Sequence, residues 1–262
     1  MARLAQAGNS GLGQLKGSTI KLFQLLIERA PFMSRSHLAD HSGRMLNNLS
    51  ALECVAGDQR VLLPAVILHD IGVFFSQEHC HGPISAQIIR PHLADLRLTK
   101  AEQDRVCSAV RAHDDTTHVD HSLEASALRA LDDLDAFGAI GVYRFLEIYQ
   151  RRGFGPYEIF AMAADSLKQR LNRLPEHYFN EEQRSLIDEA WGFAHGFMRR
   201  MQDTGHGPTG QGALLFRTMS AADWSLFKLA GGISDRRIDS FPLLKGFFQR
   251  LSTEILEQPA RG

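Results

Sequence analysis

Cysteine is scarce in this chain. The 3 present, Cys54, Cys80 and Cys107, are scattered, and no two stand at C-x-x-C spacing. An odd, sparse set excludes a disulfide framework and makes the cytoplasm the expected compartment. An excess of charge is also missing, since Lys+Arg 29 against Asp+Glu 30 leaves a formal net charge of -1. No global field draws such a molecule toward nucleic acid or a membrane surface, and no long Lys/Arg run supplies a local one. The longest apolar run, Val61 to Leu68, is interrupted by Pro64 and is too short to cross a bilayer. Sustained period-2 alternation and Val/Ile/Thr runs are absent, which argues against a sheet. Internal repeats and low-complexity segments are absent too. The Gly-rich stretch Asp203 to Gly212 lacks the GK[ST] ending of a phosphate-binding loop.

What is present is helical periodicity. Residues 1–17, rich in Gly and Ala, are expected to be a loose terminus rather than a signal peptide. Helices are expected over Ile20 to Glu28, His37 to Val55, Leu62 to Ile71 and Ile84 to Leu93. Another begins after Thr99, whose spacing to Glu102 is that of a capping box, and runs to His113. Leu123 to Asp135, Ala139 to Gln150, Pro156 to Leu174 and a helix capped at Asn180 and ending near Met201 follow. Asp203 to Gly212 is the expected linker, because its Gly and Pro content cannot hold a helix. Beyond it, Ser220 to Asp223 is expected to cap a short helix, and Pro242 to start another ending near Ile255. The expected architecture is all-α, with a loose 1–17, a main bundle over 18–202, a linker at 203–212 and a helical extension at 213–262.

Histidine is abundant, at 12, and unevenly placed. His37 and His41 lie four apart, so they share one helix face. His69-Asp70 ends the most apolar helix, where an ionised carboxylate is costly unless it is paired or bound to a cation. His81 opens a helix, and His113 ends one beside Asp114 and Asp115. Asp132, Asp133 and Asp135 interrupt an otherwise apolar helix; Asp132 and Asp135 share a face and Asp133 points elsewhere. The bland reading of that trio is a solvated acidic face, and the flanking Leu131, Leu134 and Phe137 weigh against it.

The order His41, His69-Asp70, Asp132 resembles the H…HD…D signature of the HD-domain metal-dependent phosphohydrolases. Longer elements carry the likeness. His37 to Met45 resembles the family's H-D-x-x-H-x-x-R-V opening, and Ala65 to Gly72 its A-x-L-L-H-D-I-G. His81 to Ala86 resembles H-G-x-x-S-A, Val110 to His113 resembles I-x-x-H, and Asp132 to Arg144 resembles D-R-L-D-A-x-G-A-I-G-x-x-R. Asp133 stands where the small bacterial nucleotide-hydrolysing members often have Arg, and Val73 where many members have Lys.

The resemblance implies an HD-type helical bundle and a metal held by His41, His69, Asp70 and Asp132. Nitrogen and oxygen donors without thiolate suit Mn²⁺, Fe²⁺, Co²⁺, Ni²⁺ or Zn²⁺. Asp70 could take the proton of an attacking water, and His81 and His113 could donate a proton or bind phosphate. His81 and His113 could instead complete a second metal site. His37, Arg44, Asp135, Lys168 and Arg170 are expected to contact a phosphorylated small molecule, a nucleotide being the best single guess. The expected function is a phosphohydrolase. The alternatives are a dinuclear iron oxygenase on the same fold and a degenerate nucleotide-binding regulatory module. An oligomer is compatible with all of these; a membrane or nucleic-acid partner has no signal.

Overall fold

The structure, a computed structural model, describes residues 2–32, 39–51, 57–76, 80–114, 120–204, 210–225, 228–229 and 237–257. Among these there is no strand, as the all-α expectation requires. The helices are α1 (Ala2–Ile27), α2 (Ala39–Ala51), α3 (Gln59–Leu68), α4 (Gly82–Ile89), α5 (Lys100–Ala112) and α6 (Leu123–Leu134). They continue as α7 (Gly138–Arg151), α8 (Pro156–Arg173), α9 (Glu181–Thr204), α10 (Gln211–Ala221) and α11 (Pro242–Leu256). No helix among the described residues is long and apolar enough to cross a membrane. The chain forms two compact units, Met1–Asp132 and Asp133–Gly262, and the boundary falls inside α6. It thus lies at neither of the positions, 17/18 and 203–212, where the composition changes. α1 includes the stretch expected to be a loose terminus.

The first unit is built around α3. Every residue from Val61 to Leu68 is buried, so this helix has no solvated face. α1, α2 and α5 pack on it, and α4 packs on α5. Its start is capped by Asp58, whose side chain accepts the Arg60 N–H at 2.9 Å. The Asp58 N–H donates to Glu124 at 2.8 Å, which ties the start of α3 to that of α6. Ser42 Oγ donates to the Ile67 carbonyl at 3.3 Å and joins α2 to the end of α3.

The capping box at α5 is present. The Thr99 N–H donates to Glu102 at 2.6 Å, and the Glu102 N–H donates to Thr99 Oγ1 at 3.3 Å.

The second unit has its own core, in which Phe160, Phe197, Met198, Leu244 and Phe247 are buried among α7, α8, α9 and α11. The Glu254 carboxylate on α11 accepts the Ala139 and Ile140 N–H groups at 3.0 and 2.9 Å, satisfying donors that the first turn of α7 leaves open.

One expected helix start is a helix end. Ser220 lies in the last turn of α10, and the chain leaves through Asp223 and Trp224 at φ 54° and 48°. The S-x-x-D pattern suits a cap, but Leu214, Leu215, Thr218 and Met219 already form a buried helical face that carries the helix through it. Residues 205–209 of the expected linker lie outside the described residues, whereas Gln211 and Gly212 are helical.

Glu102 also receives the Arg60 guanidinium at 2.6 Å, and this bond, aided by the Thr99 N–H, holds its carboxyl at about 2. Arg60 is 43% exposed, so solvent screening keeps the ion-pair share small and the cap carries most of the effect. Glu102→Gln should therefore cost roughly 1 kcal/mol at neutral pH. A depressed pKa stabilises the fold above the ordinary carboxylate range and ceases to do so as pH falls through the folded value. The gap in urea midpoint between wild type and variant should therefore close between about pH 4.5 and about pH 2.

Candidate metal centre

The chemistry-bearing side chains of the first unit sit where helices begin or end. His41 lies in the first turn of α2, and His69 is the residue that ends α3. Asp70 precedes a short 3₁₀ turn, Ile71–Phe74. His81 immediately precedes α4, His113 ends α5, and Asp132 lies in the last turn of α6. Six groups far apart in the chain thus converge on one place.

Asp70 is the hub. Its Oδ2 lies 3.2 Å from His41 Nε2. Its Oδ1 lies 3.2 Å from His69 Nε2, 2.7 Å from His81 Nε2 and 3.4 Å from His113 Nε2. His41 Nε2 stands 3.1 Å from His69 Nε2 and 3.5 Å from Asp132 Oδ1; His81 and His113 meet Nε2 to Nε2 at 3.1 Å. The donors form two groups that share Asp70: His41, His69 and Asp70, and Asp70, His81 and His113, the donor atoms of each within 4.8 Å of one another. Burial is deep. The side chains of His41 and His69 are 0% exposed and that of Asp70 6%, while Asp132, at 19%, forms the open edge.

Backbone groups set the direction of the rings. His69 Nδ1 faces the Val66 carbonyl at 3.0 Å, and His113 Nδ1 the Val110 carbonyl at 2.7 Å. An Nδ1–H donated to a carbonyl leaves the Nε2 lone pair directed at the centre. Lone pairs so directed repel at these separations unless a proton or a cation lies between them. The ring of His81 shows the same demand: burial alone would lower its pKa, yet Asp70 and Asp114 together raise it to about 10. His113 is also pushed up, because its contact with Asp70 outweighs burial. A cluster that binds protons this firmly is one in which a divalent cation has a place.

Two glycines allow the elements to come this close. A Cβ on Gly72 would lie 2.5 Å from the His81 carbonyl oxygen and 2.8 Å from Ser85 Oγ. The Gly72 N–H donates to buried Ser85 Oγ at 2.8 Å, which fastens the turn carrying Asp70 to α4. A Cβ on Gly82 would lie 2.4 Å from Asp114 Oδ1 and 2.7 Å from the Val110 carbonyl oxygen.

The remaining expected site residues are dispersed. His37 lies outside the described residues. Arg44 is half-buried on α2, one turn after His41. Asp135, Lys168 and Arg170 belong to the second unit. There Asp135 is buried against Arg144 at 2.6 Å, and Lys168 is exposed on α8. Arg170 bonds buried Asp133 at 2.8 Å, with Arg173 beside it at 2.7 Å. Asp133 is therefore the centre of a guanidinium clamp rather than part of a solvated acidic face. Sequence reasoning noted Asp114 only as a neighbouring charge; its carboxylate accepts the His81 and Gly82 N–H groups at 2.7 and 2.8 Å. An Asp directly after an I-x-x-H element was the available signal.

Residues 38–137 match the family model of the HD domain. Among solved structures the chain resembles Bacillus subtilis YpgQ, with a TM-score of 0.53 and 17% identity over 74% of this chain and 96% of that one. It also resembles Bacillus subtilis YpgQ in complex with ADP, with a TM-score of 0.50 and 15% identity over 71% and 96%. At these identities the likeness is one of fold. No curated protein sequence matches the chain.

The close approach at Gly72 is open to test. In Gly72→Ala the added methyl meets backbone and Ser85, so the 3₁₀ turn and α4 must separate. The expected cost is about 1–3 kcal/mol in thermal or urea unfolding, with reduced divalent-metal uptake. Unchanged stability and metal content would show that the turn and α4 can shift without moving Asp70.

Proposed function

We propose that this chain, which carries an HD domain over residues 38–137, is a metal-dependent phosphohydrolase acting on a phosphate ester or anhydride, with a nucleotide as substrate class. The observation that carries this reading is the pair of donor groups joined at buried Asp70. Imidazole and carboxylate donors without thiolate suit Mn²⁺, Fe²⁺, Co²⁺, Ni²⁺ or Zn²⁺. The facing Nε2 atoms favour two ions over one. His41, His69, Asp70 and Asp132 would hold the first, and Asp70, His81 and His113 the second. In this arrangement His81 and His113 serve as ligands rather than as proton donors.

When bound, such ions neutralise phosphoryl charge and acidify a water that can attack at neutral pH. The chain supplies the rest. His69 and His113, tied through Nδ1 to carbonyls, keep their rings from turning, so the donors need no reorganisation as charge develops. The oxygens of Asp70 face four imidazoles, which makes Asp70 a poor proton acceptor in the two-ion arrangement. Asp132 Oδ1, on the exposed edge, is better placed to take the proton of the water and pass it to solvent. The buried wall formed by α3 excludes bulk water from the other side. The nucleotide assignment is supported by the sequence resemblance and by the complex with ADP of a protein of similar fold.

The test is release of phosphate or pyrophosphate from a nucleotide panel with Mn²⁺, without oxygen. Chelation should abolish it, and Asp70→Ala should lower turnover by roughly 10²–10³-fold or more while stripping metal. Full activity in Asp70→Ala, or indifference to chelator, would overturn the reading. Oxygen consumption by Fe²⁺-loaded protein with a blank phosphate screen would establish the dinuclear iron oxygenase in its place. Nucleotide binding without any turnover would establish the regulatory module.

A further inference from the structure

We propose that Asp114 is the positioning residue that makes His81 a metal ligand, holding both its ring and its backbone from the end of α5. The inference rests on the two-ion reading. His69 and His113 are aimed by carbonyls of their own helices, three residues back in each case. His81 precedes α4, so no preceding turn of that helix offers it a carbonyl. Its Nδ1 instead lies 2.9 Å from Asp114 Oδ2. The same carboxylate accepts the His81 N–H through Oδ2 at 2.7 Å and the Gly82 N–H through Oδ1 at 2.8 Å. Asp114 thus fixes where His81 enters α4 and which way its imidazole faces. A carboxylate on the far nitrogen of a ligating imidazole also raises the basicity of the near one.

The arrangement has two further supports. Only glycine at position 82 leaves room for it, since a Cβ there would stand 2.4 Å from Asp114 Oδ1. Asp114 also directly follows His113, so the end of α5 supplies one ligand of the second group itself and aims another. No contact of Asp114 among the described residues reaches His41, His69 or Asp132. Its influence therefore falls on one donor group and spares the other.

The experiment titrates Mn²⁺ into metal-free wild type, Asp114→Asn, Gly82→Ala, His81→Ala and the double variant Asp114→Asn/His81→Ala. Metal content and the exchange-coupled EPR signal of paired Mn²⁺ are read, with helix content as a folding control. An amide presents a single acceptor oxygen and cannot satisfy both N–H groups and the ring. Asp114→Asn should keep the first ion at wild-type affinity, weaken the second by about 10–100-fold and lose the coupled signal at stoichiometric loading. Gly82→Ala should show the same selective loss. In the His81→Ala background, Asp114→Asn should change nothing further. Two ions at wild-type affinity in Asp114→Asn would overturn the proposal, as would equal loss of both ions from folded Asp114→Asn and Gly82→Ala. A further loss in the double variant would also overturn it. A wild type that takes up one ion only removes the two-ion reading itself and the role of Asp114 with it, an outcome visible before any variant is compared.

Discussion

The carboxylate of Asp70 has to be satisfied from inside the protein, and the first unit is arranged around that demand. Its side chain is 6% exposed, and it follows a helix with no solvated residue from Val61 to Leu68. An ionised carboxylate in such a place costs several kcal/mol unless positive charge or strong donors surround it. Four imidazoles from α2, α3, α4 and α5 face it. Each of them comes from a helix end, where side chains can reach inward past the last turn while the helix body packs elsewhere. The burial of α3, the cap at Asp58 and the bond from Ser42 to Ile67 all serve to place that one carboxylate.

The second unit shows how the same chain treats buried acids that carry no such chemistry. Asp133 receives the guanidinium groups of Arg170 and Arg173, and Asp135 that of Arg144. Glu254 sits on the open N–H groups of α7. A guanidinium is permanently charged and pairs with a carboxylate in fixed geometry, which suits a structural anchor. Imidazole can be neutral, can turn its lone pair inward and can be exchanged between proton and cation. The partner type, more than the burial, separates a structural acid from a metal-binding one, and it marks Asp70 as the exception in this molecule.

Close backbone approach is the second constraint. Asp70 and His81 lie on segments that touch at Gly72 and Ser85, and His81 and His113 on segments that touch at Gly82 and Asp114. The H-G-x-x-S-A element therefore has a plain physical meaning. His81 offers a donor, Gly82 admits the Asp114 carboxylate, and Ser85 receives the N–H of Gly72.

Local information in the sequence determined most of the helices and the identity of the candidate donors. Apolar spacing, the Thr99–Glu102 box and the His-Asp pair after an apolar run are all contained in a few consecutive residues, and helix formation depends on the same short range. The tertiary structure alone decided which acids pair with arginine, because Asp133 and Arg170 are 37 residues apart and Asp135 shares the helical pattern of Asp132. It also decided that Ser220 ends a helix rather than starting one, since a capping pattern yields to a buried face that continues through it. It brought His81 and His113 to the same oxygen of Asp70 and put Asp114 behind His81. Those contacts depend on how α3, α4 and α5 cross, and the crossing is fixed by side-chain packing and by the two glycines at which the segments meet, neither of which any short stretch of sequence contains.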